Sequence, residues 1–92
     1  MGERESLLTD GLALLVSVAP EARDSAEVVH DDAEGWGWDE TTCTTGREVA
    51  VWLLSCVYAS MVDETEPTAN ARVLTFAARA WFAETHRKIG EV

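Results

Sequence analysis

Thr45-Gly46-Arg47-Glu48-Val49-Ala50-Val51-Trp52-Leu53-Leu54-Ser55-Cys56-Val57-Tyr58-Ala59-Ser60-Met61-Val62 is the stretch on which the fold turns. From Val49 to Val62 the run has 14 residues with only Ser55 and Ser60 as polar interruptions. That is short of the roughly 18 to 20 apolar residues that span a bilayer, so the segment is expected to be a buried helix. Val49, Trp52, Leu53, Cys56 and Ser60 share one face, and Ala50, Leu54, Val57 and Met61 share the next. A helix apolar around so much of its circumference is either central to a bundle or covered by a second chain. Thr45 followed by Glu48 at its entrance has the spacing of a capping box, in which a hydroxyl satisfies one of the unpaired first-turn amides.

Upstream, Gly35-Trp36-Gly37-Trp38-Asp39-Glu40 places two glycines within three residues, and their backbone entropy argues for a loop over residues 35–44. Before it, Ala22, Ala26, Val29 and Ala33 recur at helical spacing after Pro20, while Glu21, Asp24, Glu27, Asp31 and Asp32 take the opposite face. Earlier still, Leu8, Leu12, Leu15 and Ala19 repeat the same pattern, flanked by Leu7, Leu14 and Val18. Downstream, a charged turn ending in Pro67 opens a last helix with Ala69, Val73, Phe76 and Ala80 as its inward stripe and Ala77, Trp81 and Ile89 beside it. Arg72, Arg79 and His86 share another face of that helix, and Gly90 is placed to stop it. The expectation is an all-α, compact bundle of about four helices (5–19, 20–34, 45–62, 66–89), with an acidic Trp/Gly loop between the second and third. At 92 residues the chain is expected to form one domain, 1–92, since two cores would each be too small to fold alone.

Seventeen acids against seven bases give a net charge of −10. Residues 21–40 carry −7 of it, 63–66 carry −3, 1–20 carry −2, 41–62 are neutral and 67–92 carry +2. Direct nucleic-acid binding is therefore disfavoured, because phosphate backbones select basic surfaces. The acids before the first apolar run are not the basic leader of a secreted chain, and two cysteines do not make a disulfide framework; a cytoplasmic location is expected, without membrane attachment. Met1-Gly2-Glu3-Arg4-Glu5-Ser6 fits the bare myristoylation pattern, but an arginine- and alanine-rich composition weighs towards a microbial or phage origin.

Catalytic and cofactor chemistry fares poorly. A calcium loop starting at Asp32 has Glu34 and Gly37 in place but Trp36 and Cys43 where oxygen ligands belong. His30, Cys43, Cys56 and His86 have none of the short paired spacings of a zinc site. Cys56 falls within the apolar helix, where a thiol is inert, and Cys43 has no local cation. Asp31 with Asp32, and Asp39 with Glu40, sit in polar runs rather than apolar pockets, and Gly35-Trp36-Gly37 is no phosphate loop. No enzyme, metal or cofactor is expected.

What remains is an acidic segment holding two of the four tryptophans. Carboxylates steer a basic partner at long range and an exposed aromatic anchors it at short range, so Glu27, Asp31, Asp32, Glu34, Trp36, Trp38, Asp39 and Glu40 are the candidate partner-binding residues. The competing expectation for either tryptophan is that it folds back to close the core. The function expected is a small acidic protein-interaction module, an inhibitor or modulator of phage or mobile-element type. It would present this surface to a basic site on a host protein, with nucleic-acid mimicry as one form. The alternative is a self-associating structural subunit, a homodimer or larger assembly with the helix 45–62 as its seam.

Overall fold

The computed structural model describes the backbone of residues 2–63 and 69–92 and the side chains of 2–62 and 76–92. Among the described residues the chain forms four α-helices and no strand: α1 (Glu3–Val18), α2 (Arg23–Asp31), α3 (Gly46–Asp63) and α4 (Ala69–Glu91). One core draws on all of them, with Leu15, Ala26, Val49, Ala50, Leu53, Leu54 and Ile89 fully enclosed. No helix of the described residues is long and apolar enough to cross a membrane.

α3 is the centre of the assembly, as its sequence requires, and touches α1, α2 and α4. Its tightest approach is to α1, where Gly11 faces Val49: a Cβ on Gly11 would lie 2.5 Å from Val49 Cβ and 3.0 Å from Ala50 N. The missing side chain is what lets the two helix backbones meet. At the entrance of α3 the Glu48 amide donates to Thr45 Oγ1 at 3.2 Å, so the cap forms as expected. The Glu48 carboxylate does not reach back to the Thr45 amide; it accepts from the Thr44 and Thr45 hydroxyls at 2.9 and 3.2 Å.

Three expectations are corrected. The single helix over 20–34 is instead a 3₁₀ turn (Pro20–Ala22), α2, and a second 3₁₀ turn (Ala33–Trp36). Asp32, at φ −119° and ψ 40°, breaks the helix after Asp31, where two adjacent aspartates offer competing local hydrogen bonds to the backbone. The apolar register survives the break, and Ala22, Ala26, Val29 and Ala33 are all buried. The expected loop 35–44 is partly ordered, with Gly37 at φ +88° joining the second 3₁₀ turn to a third (Trp38–Glu40), a left-handed conformation suited to glycine.

The third correction concerns α4. Among its described side chains the buried positions are Ala78, Thr85 and Ile89, with Phe82 half-buried on the same stripe, whereas Phe76 is 76% exposed and Ala77 and Ala80 are exposed. At its far end the helix is placed by Ile89 in the core and by Phe82, whose ring lies 5.0 Å from that of Tyr58 at a tilt of 55°. Thr85 on that stripe is polar, which hides the register from a count of apolar residues. Gly90 does not stop the helix, because it keeps a right-handed backbone and α4 continues to Glu91. The expected helix start at 66 and the charged turn before it lie outside the described residues, as do the side chains of Ala69, Arg72 and Val73.

Candidate acidic docking site

α1 runs past the C-terminal end of α2, and the two 3₁₀ turns that follow α2 wrap back against α1. A furrow opens between them. One part of it, about 320 Å³, is lined by Glu5 and Leu8 from α1, His30 and Asp31 from α2, and Asp32, Ala33, Glu34, Trp38 and Asp39 from the turns. A second depression continues it along α1 through Ser6, Thr9 and Asp10, sharing Glu5, Leu8 and His30. Five carboxylates thus surround an apolar floor of Leu8, Ala33 and Trp38 that is itself part of the core.

The furrow acids are exposed, and among the described residues only Asp31 has a basic neighbour within 4.0 Å, His30, whose Nδ1 lies 3.4 Å from Asp31 Oδ1. Such unpaired carboxylates around a concave surface add their fields in the furrow, where a cation would feel them together. Among the described residues, no cluster of three or more His, Cys, Asp and Glu side chains is close enough to hold a metal ion. Both cysteines are free thiols, Cys43 half-buried and Cys56 buried, and burial pushes the Cys56 thiol up to about 11. That raises its pKa away from the range of a reactive thiolate.

Of the eight candidate residues, the structure gathers Asp31, Asp32, Glu34, Trp38 and Asp39 on the furrow. Glu27 and Glu40 are exposed outside it. Neither tryptophan is displayed as a free anchor. Trp36 is half-buried against the core, and Trp38 is 5% exposed, its ring 5.2 Å from that of Trp52. Both rings fold back, and Trp38 serves the site as its floor.

Sequence reasoning missed Glu5, Leu8 and His30, which lie on the furrow, and Arg4, which lies over the ring of Trp38. The Arg4 guanidinium lies over the Trp38 ring, 4.5 Å from the centroid, and donates to the Trp38 carbonyl at 2.6 Å and to Thr41 Oγ1 at 3.2 Å. Glu5 had no local signal, since it meets the turns only through tertiary packing. Arg4 had one: a lone cation between Glu3 and Glu5 in the first turn of a helix opposes the helix dipole, so something distant must hold it.

No family model matches this chain, and neither a curated protein nor a solved structure is significantly similar to it.

Proposed function

We propose that the chain is a small acidic protein-interaction module, an inhibitor or modulator, that offers the furrow between α1 and the turns after α2 to a basic site on another protein. The observation that carries this reading is convergence. Glu5, distant in sequence from Asp31, Asp32, Glu34 and Asp39, joins them around one concave surface with an apolar floor, and Asp10 lines the depression beside it. Charges dispersed only for solubility have no reason to share a furrow. Carboxylates along a helix and its following turn can also stand in for phosphates, and so suit a groove that ordinarily receives a nucleic acid.

The test uses a labelled oligolysine peptide and fluorescence anisotropy at low and high salt. A furrow variant, Asp31→Asn/Asp32→Asn/Glu34→Gln/Asp39→Asn, is set against one of equal net charge off the furrow, Glu3→Gln/Asp24→Asn/Glu27→Gln/Glu40→Gln. The furrow variant should weaken binding by about tenfold or more and flatten its salt dependence, and the control much less. Equal losses would reduce the furrow to diffuse charge.

A self-associating subunit is the second reading, and Phe76 is what favours it: among the described residues it is the one exposed Phe, Tyr or Trp, on α4. α3 is a narrower seam than its sequence implies, because Val49, Ala50, Leu53, Leu54 and Val57 are buried within the chain. Sedimentation from micromolar to millimolar concentration, with Phe76→Ser beside the parent, decides the matter. A concentration-independent monomer mass removes this reading.

A further inference from the structure

We infer that the turn from Trp38 to Thr41 is an arginine receptor which the chain's own Arg4 keeps filled, and which an arginine of the basic partner takes over. The inference rests on the docking reading above and specifies its partner: a guanidinium rather than any cation. Arg4 is bound there as a ligand would be. Its Cζ lies over the indole ring, 4.5 Å from the centroid, while its nitrogens donate to the Trp38 carbonyl at 2.6 Å, Thr41 Oγ1 at 3.2 Å and the Thr41 carbonyl at 3.5 Å. The Thr41 hydroxyl in turn donates to the Trp38 carbonyl at 2.9 Å, which aims its lone pairs away from that carbonyl and towards the guanidinium. A flat, many-donor cation satisfies ring and oxygens at once, and an ammonium on a flexible stem does not.

In a chain with 17 acidic residues, Arg4 makes no ion pair with a carboxylate among the described residues; its partners are a ring and neutral oxygens. The hold is also opposed from behind. Arg4 lies in the first turn of α1, where the helix dipole repels a cation, and Gly2 at the N-cap supplies no side-chain cap. First turns of this kind open at low free energy. Trp38 and Asp39 line both the receptor's edge and the furrow, so an arriving arginine meets the carboxylate field first and the receptor next.

N-acetyl-arginine amide and N-acetyl-lysine amide are titrated into the whole chain and into Arg4→Ala and Arg4→Lys. Nuclear magnetic resonance reads the Trp38 indole N–H and, in the parent, the Arg4 Nε–H. The arginine amide should shift the parent's Arg4 Nε–H towards its free position. It should bind Arg4→Ala about tenfold more tightly than the parent if Arg4 fills the receptor nine-tenths of the time. Arg4→Lys should resemble Arg4→Ala, and the lysine amide should do neither. Equal affinity for parent and Arg4→Ala, or no preference for arginine over lysine, overturns the inference. Should Arg4→Ala lose the dispersed Trp38 signal of a folded turn, the parent's Arg4 Nε–H decides alone, and its failure to move is fatal. Salt-sensitive oligolysine binding that persists through any of these failures leaves the docking reading standing and removes only the receptor.

Discussion

Gly11 shows how much one absent methyl group controls. Its position in α1 faces Val49 and the Ala50 amide of α3, and there is no room for a Cβ. Gly11→Ala gains helix propensity but must push the two central helices apart, and overpacking of this kind costs about 1 to 3 kcal/mol. Chemical denaturation should show that loss, and Val49→Ala in the same chain should recover part of it, since contacting sites are not additive. A stabilised Gly11→Ala would show that the helices separate freely. Cys56 makes a different point, about pH. Burial raises its pKa from 9.0 to about 11, so the folded chain keeps a proton that the unfolded chain loses. The stability this contributes is complete below pH 9 and falls as pH rises towards 11. Cys56→Ala should therefore show a shallower alkaline loss of stability than the parent, and parallel curves would discount the thiol.

At the scale of elements, α3 organises the others because it has apolar side chains on most of its circumference. Leu53 is fully buried at the middle of it, and Leu53→Ala should cost about 2 to 5 kcal/mol by urea unfolding, while Phe76→Ala on exposed α4 should cost well under 1 kcal/mol. A reversed order would mean that the core lies elsewhere. Among the described residues, α4 is held by Ile89 in the core, Phe82 against Tyr58, and the Trp81 indole N–H donating to Glu21 Oε1 at 2.8 Å. That last bond keeps the Glu21 carboxyl below its ordinary range and ties α4 to the turn that ends α1.

For the whole molecule, the relevant quantity is charge on a small frame. The chain has an accessible surface of 5970 Å², somewhat above the roughly 5,300 Å² that size scaling gives, and a long axis of 46 Å. On that surface a net −10 repels itself, and the furrow acids have little compensating charge. Screening should relieve the repulsion. The thermal midpoint is expected to rise by several degrees between low and moderate sodium chloride, since about 1 kcal/mol moves a domain of this size by about 4 to 8 °C. A falling midpoint would mean that attractive pairs outweigh the repulsion. The same salt series should weaken oligolysine binding, so stability and affinity are predicted to move in opposite directions.

The sequence by itself determined the helical architecture, because periodicity and capping are local: the stripe Ala22, Ala26, Val29 and Ala33 and the Thr45 cap needed no knowledge of neighbours. It also located the acidity, since charge is a property of composition. The tertiary structure alone decided how the stripes are used. Phe76 is more apolar than Thr85, yet Thr85 is buried and Phe76 exposed, because the rotation of α4 answers to the surface presented by the other helices. Likewise nothing local joins Arg4 to Trp38, 34 residues away, or brings Glu5 beside Asp31. Contacts of that range arise where α1 packs against α2 and the turns after it, and such packing is a property of two surfaces in contact rather than of either sequence pattern alone.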